Sequence, residues 1–176
     1  MEPHGHITLV TGGARSGKSA LAERLVMRHG LPRIYIATAE ARDGEMTGRI
    51  AEHRRRRGEG WTTVEEPLAL ERALRDSDGQ GARLVDCLTL WLSNHMGAAD
   101  VDGLCAALRA QRSPVVLVTN ELGQGIVPGN ALARAFRDGH GWMNQAVAGV
   151  ADEVWMAVSG QPLRLKPARE AFDDIL

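Results

Sequence analysis

The sequence predicts an α/β fold built on a doubly wound, mostly parallel sheet with flanking helices. Three observations carry that reading. Short β-branched runs alternate along the chain with stretches of helical spacing. The strand candidates are almost continuously apolar, as strands covered on both faces are. Between the first strand and the first helix lies Gly12-Gly13-Ala14-Arg15-Ser16-Gly17-Lys18-Ser19, which fits G-x-x-x-x-G-K-[ST] in the context that gives this motif meaning.

In chain order, strands are expected at Ile7–Thr11, Arg33–Ala37, Arg83–Cys87, Val115–Thr119 and Glu153–Val158. A sixth, Leu163–Lys166, follows the turn Gly160-Gln161-Pro162 and suits an antiparallel edge. Helices are expected near Lys18–Arg28, Glu45–Arg57, Leu68–Arg75, Val101–Arg112, Ala131–Phe136 and Gly141–Ala151. Pro67 suits a first helical turn and Asn130 an N-cap. Pro167–Leu176 reads as a loosely attached tail or a short terminal helix. With no repeat or linker, residues 1–176 form a single nucleotide-binding catalytic domain in this reading.

The glycine-rich segment has the chemistry of a phosphate cradle. Gly12, Gly13 and Gly17 let backbone N–H groups converge on an anion without a Cβ in the way. The helix opening near Gly17 aims its unpaired N–H groups and positive dipole end at the same place. Lys18 supplies a cation for the outer phosphates, and the Ser19 hydroxyl can ligate Mg²⁺. A nucleoside triphosphate, GTP or ATP, is the implied ligand. In such a sheet ligands sit outside the carboxyl ends of the strands. The positions to inspect are therefore Gly12–Ser19, Thr38-Ala39, Asp86, Asn120-Glu121 and Ser159-Gly160.

Composition narrows the class. The chain has 176 residues, 44 % of them apolar and 24 % charged, with a formal net charge of −1. That balance gives no reason to expect nucleic acid as a partner. The longest uncharged stretch, Cys87–Ala99, contains Ser, Asn, His and Thr and is unsuited to span a bilayer. Two cysteines imply no disulfide framework, and the expected compartment is the cytoplasm.

Three further segments bear on chemistry. Asp86, at the end of what reads as a neighbouring strand, suits a carboxylate that holds Mg²⁺ opposite Ser19, or alternatively a cap for the next helix. On a helix over Glu45–Arg57, Met46, Ile50 and His53 share a face, and Arg54, Arg55, Arg56 and Arg57 follow at once. Cations around a histidine favour neutral imidazole, a nucleophile; from spacing alone a solvated basic helix fits better. Asn120–Pro128 reads as a strand end entering a glycine-rich loop, either over the site or as a plain connection. Trp61 and Trp142 read as core residues in preference to stacking platforms.

Together these segments resemble the bifunctional adenosylcobinamide kinase/adenosylcobinamide-phosphate guanylyltransferase family. The likeness runs through Thr11–Ser19, Tyr35–Ala39, Asp43, Glu45-Met46, Arg49-Ile50, His53, Arg54, Arg57, Trp61–Glu65, Val85–Thr89, Asn120–Pro128, Leu132–Asp138, Asn144-Gln145, Ala151–Val154 and Ser159–Leu163. The resemblance implies a RecA-like P-loop fold and a homotrimer. It implies two reactions: phosphorylation of adenosylcobinamide by ATP or GTP, then transfer of GMP from GTP to adenosylcobinamide phosphate. It assigns the guanylylated histidine to His53. Its nucleotide contacts fall on Gly12–Ser19 (Ala14, Arg15 and Ser16 included), Ala37, Thr38, Ala39, Arg54–Arg57, Glu65 and Asp86, with Mg²⁺ at Ser19 and Asp86. A P-loop kinase of another small hydroxylated metabolite, or a nucleotide-binding module, stands as the alternative.

Overall fold

A computed structural model describes residues 5–40 and 44–167; within the helix over 44–57, the side chains of residues 45–47, 49, 50, 53 and 56 also lie outside the described set. Seven strands form one sheet in the order β3-β2-β4-β5-β1-β6-β7. They are β1 (Ile7–Gly12), β2 (Arg33–Ala37), β3 (Trp61–Glu65), β4 (Ala82–Asp86), β5 (Val115–Val118), β6 (Glu153–Val158) and β7 (Gln161–Lys166). The first six run parallel, and β7 pairs antiparallel with β6 at the edge.

The helices are α1 (Lys18–Met27), α2 (Gly44–Arg57), α3 (Leu70–Asp76), α4 (Leu88–Asn94), α5 (Val101–Arg109) and α6 (Ala131–Val150). Successive strand residues point to opposite faces, so the inner strands feed two cores. Val10, Tyr35, Leu84, Val116 and Val118 pack with Leu21, Ala22, Leu25 and Val26 of α1. Ile7, Leu9, Ile34, Ile36, Val85 and Leu117 face the other way, onto Leu70, Leu74, Trp91, Leu104, Leu108, Met143 and Val147 of α3–α6. Burial on both faces is why these strands lack polar alternation.

Several expectations change. β3 was not anticipated: as an edge strand it leaves Thr62, Thr63 and Glu65 exposed and reads as a loop. α4 occupies part of the uncharged stretch Cys87–Ala99, with Leu88, Trp91 and Leu92 buried. The two helices expected over Ala131–Phe136 and Gly141–Ala151 are one helix of 20 residues. Gly139 and Gly141 do not break it, because Phe136, His140, Met143 and Val147 fall on one face and pack as a continuous stripe. Pro67 lies before α3, not in its first turn. The Glu66 carboxylate accepts from the N–H groups of Leu68 and Ala69 and pairs with Arg72, so it caps the helix entry. Asn130 caps α6 as expected, accepting from Ala133 N at 2.7 Å. Trp61 sits half-buried at the sheet edge and packs against the core on the α1 side, as expected, whereas Trp142 is 70 % exposed and is not a core residue. From residue 168 onward the expected tail lies outside the described residues.

Candidate active site

The carboxyl edge of the sheet gathers all five segments singled out by the strand-end argument. β1 ends at Gly12, where a Cβ would sit 2.7 Å from Ala157 O and 2.6 Å from Ser16 Oγ, so only glycine fits the turn. Gly17 forms the N-cap of α1 with φ 92°, a left-handed value that glycine adopts at no steric cost. A side chain there would also press on Gly160 at 3.2 Å. Gly160 N donates to Ser16 O at 2.9 Å, tying the turn between β6 and β7 to the loop. Gly13, Ala14 and Arg15 are exposed, whereas Ser16 is buried and its hydroxyl makes no hydrogen bond among the described residues. Lys18 Nζ donates to Gly13 O at 3.0 Å. Burial lowers the Lys18 pKa from its ordinary value, and the Asp86 carboxylate opposes the shift. Ser19 is half-buried in the first turn of α1.

Asp86 closes β4, but not on a strand adjacent to the loop. β5 runs between β1 and β4, with Val118 level with both Val10 and Asp86. The helix-cap alternative for Asp86 is not what forms, since the N-cap of α4 is Cys87. Tyr35 donates its hydroxyl to Asp86 Oδ2 at 3.0 Å. Burial, then the Asp86 charge, raises the Tyr35 pKa far above its usual value, so the phenol stays a donor. The buried Cys87 thiol is pushed up to about 12, by burial first and Asp86 second. It is a packing group at neutral pH.

Thr38 is fully buried, and all its polar groups are committed inside the protein. Its hydroxyl accepts from Cys87 N at 2.7 Å and donates to Cys87 O at 2.8 Å. Its N–H reaches Asp86 O at 3.2 Å and its carbonyl takes Asn94 Nδ2 at 2.8 Å. Ala37 and Ala39 flank it half-buried, and Glu65 ends β3 exposed.

Of the α2 cluster, Arg54 and Arg55 are exposed. Arg57 lays its guanidinium 3.2 Å above the Tyr35 ring, a cation–π contact with the residue that holds Asp86. His53 lies in α2, but its side chain and that of Arg56 are outside the described residues.

Sequence reasoning named Asn120 but not the polar cluster it joins, built from Thr89, Thr119, Asn120, His140 and Asn144. His140 is 1 % exposed, with Nε2 2.9 Å from Thr89 Oγ1 and 3.3 Å from Thr119 Oγ1. Burial lowers its pKa and the Glu121 charge opposes the change. The helix break assumed near Gly139–Gly141 hid His140; a single helical stripe through Phe136, His140 and Met143 was the available signal.

A glycine-built anion loop, a lysine at its end and a carboxylate on the same sheet edge define a P-loop nucleotide-binding protein. A family model described as cobinamide kinase / cobinamide phosphate guanyltransferase matches residues 8–165, and the chain belongs to that family. It is 50 % identical over 167 residues to the bifunctional adenosylcobalamin biosynthesis protein CobP of Pseudomonas aeruginosa, spanning 90 % of this chain and 96 % of that one. Identity to the bifunctional adenosylcobalamin biosynthesis protein CobU of Escherichia coli is 40 % over 179 residues, 90 % of this chain and 98 % of the other. Among solved structures, a prototypical ATPase from the type III secretion system of pathogenic bacteria aligns with a TM-score of 0.51 at 14 % identity. That alignment covers 87 % of this chain and 51 % of the ATPase, and it speaks to the α/β fold alone. Among the described residues, no helix is long and apolar enough to cross a membrane.

Proposed function

We propose that this chain carries both activities of its family on one nucleotide site. In the kinase reaction the hydroxyl of adenosylcobinamide attacks the γ-phosphorus of ATP or GTP, and the nucleoside diphosphate leaves. In the second reaction His53 attacks the α-phosphorus of GTP, pyrophosphate leaves, and GMP is held through a P–N bond. The phosphate of adenosylcobinamide phosphate then attacks that phosphorus, freeing His53 and giving adenosylcobinamide-GDP. The observation that carries the reading is the chain of contacts from α2 to the phosphate site. Arg57, one helical turn beyond His53, stacks on Tyr35, which bonds Asp86.

Residues Gly12–Ser19 cradle the phosphates, with Ala37, Thr38, Ala39, Glu65 and Arg54–Arg57 around the rest of the nucleotide. Thr38 acts by holding the Asp86-Cys87 turn. Mg²⁺ fits at Ser19 and Asp86: both offer oxygen, and Mg²⁺ takes one or two protein oxygens with the remainder from phosphate and water. When bound it neutralises charge on the phosphates. The active form is a homotrimer.

Incubation with GTP labelled at the α-phosphate tests the assignment. The expected result is acid-labile, base-stable label on the protein, since a protonated imidazole is a good leaving group. His53→Ala should abolish label and guanylyl transfer while adenosylcobinamide is still phosphorylated, because Lys18, Ser19 and Asp86 remain. Label that survives in His53→Ala places the nucleophile elsewhere and refutes the reading.

A further inference from the structure

We propose that Glu121 is the group that takes the proton from the substrate hydroxyl in the kinase step, and that the cluster around Thr89 and His140 holds it in position. The inference rests on the kinase reading above. It begins with where β5 delivers the chain. Val118 stands level with Val10 on one side and Asp86 on the other. Three residues later Glu121 has reached the entrance of the phosphate loop, where its N–H donates to Gly12 O at 3.3 Å. The Thr11 hydroxyl donates to Glu121 Oε1. The carboxylate is thus fastened to β1, the strand that becomes the loop, just past the end of β5, which lies between β1 and β4. It is half-buried, so a substrate can reach it. An ionised carboxylate offers about four lone-pair sites, and the Thr11 hydroxyl takes one.

Asn120 fixes the backbone just before it. Its N–H and Nδ2 both donate to Thr89 Oγ1, at 3.1 and 2.9 Å, and its carbonyl accepts from Asn144 Nδ2 at 3.0 Å. Proton counting then sets the state of His140. Thr89 Oγ1 spends both lone pairs on Asn120, so its own proton goes to His140 Nε2 at 2.9 Å. Thr119 Oγ1 gives its proton to Asn144 Oδ1 at 2.7 Å. His140 is therefore a neutral acceptor at Nε2, already used, and it positions Thr89. Two other carboxylates at this edge are placed for different work. Asp86 accepts from Tyr35, and Glu65 ends β3, two strands beyond β4.

In the step itself the hydroxyl oxygen forms a bond to the γ-phosphorus as the bond to the β,γ-bridging oxygen breaks. The electron pair of that bond stays on the departing diphosphate. The hydroxyl proton passes to a Glu121 oxygen and is later lost to water.

Glu121→Gln keeps an oxygen for Thr11 but cannot accept a proton at neutral pH. Adenosylcobinamide phosphorylation should lose roughly 10²–10⁴-fold in kcat with KM little changed, the range of general-base catalysis. Nucleotide binding by calorimetry and labelling from α-labelled GTP should persist, which shows the variant is folded. Thr11→Val removes the hydrogen bond that fastens the carboxylate but keeps the carboxylate itself, so its rate should fall by about tenfold, well short of the loss in Glu121→Gln. Formate should restore part of the rate to Glu121→Ala and none to Glu121→Gln. A Glu121→Gln rate within about tenfold of the parent, or an equal loss in Thr11→Val, overturns the proposal. A parent chain that labels from GTP but does not phosphorylate adenosylcobinamide overturns the kinase reading itself, and the base with it.

Discussion

Thr38→Val probes how the Asp86 turn is held. The two side chains have nearly the same shape, so the change removes a hydroxyl and little else. That hydroxyl accepts from Cys87 N at 2.7 Å and donates to Cys87 O at 2.8 Å, and Thr38 has no solvent exposure. Water therefore has no direct way to replace it. Cys87 O keeps the N–H of Trp91 at 3.1 Å, so only Cys87 N is left without a partner. A buried backbone group so stranded costs about 1–3 kcal/mol, here about 2 kcal/mol. For a chain of this size that corresponds to a melting temperature lower by roughly 4–8 °C. Urea denaturation should show the midpoint falling with the slope unchanged, as expected when the folded state alone loses stability. Because Cys87 follows Asp86 directly, Mg²⁺-dependent nucleotide binding should weaken as well. A loss below about 1 kcal/mol would mean that the turn is held by its strands and that the hydroxyl pair contributes little.

Two further outcomes follow from the same edge of the sheet. Asp86→Asn should raise the Mg²⁺ concentration needed for half-maximal kinase rate, because a neutral amide is a poorer ligand for a hard cation; an unchanged Mg²⁺ titration would leave Asp86 a purely structural residue. His140 sits below its ordinary pKa of 6.5, so as pH falls the unfolded chain binds the proton first. Its contribution is fully present above that ordinary value and declines as pH drops through and below it. Urea midpoints compared at roughly pH 7.5 and 5.5 should therefore fall less in His140→Gln than in the parent; equal falls would refute the assignment.

Much of this molecule was legible because local chemistry repeats. The phosphate loop follows from glycines that alone allow the backbone geometry at Gly12 and Gly17, and from a lysine and a serine at fixed offsets. The parallel strands were legible because each is buried on both faces. β3 was not, since at an edge it has one covered face and a polar sequence. The unity of α6 was hidden because Gly139 and Gly141 read as breakers, while the buried stripe from Phe136 to Val147 that keeps the helix whole depends on packing against other elements.

The sequence by itself determined the strands buried on both faces, the anion loop and the Asn130 cap, because each rests on neighbouring residues, and it carried the family resemblance along the chain. Tertiary structure decided which distant groups meet. It inserted β5 between the strands of the loop and of Asp86, and so brought Glu121 to Thr11 across 110 positions of sequence. It made the Thr38 hydroxyl the clamp of Cys87, and it set Arg57 on Tyr35. None of these pairings leaves a local pattern. Strand order and register place the partners, and those depend on how all the buried faces pack together.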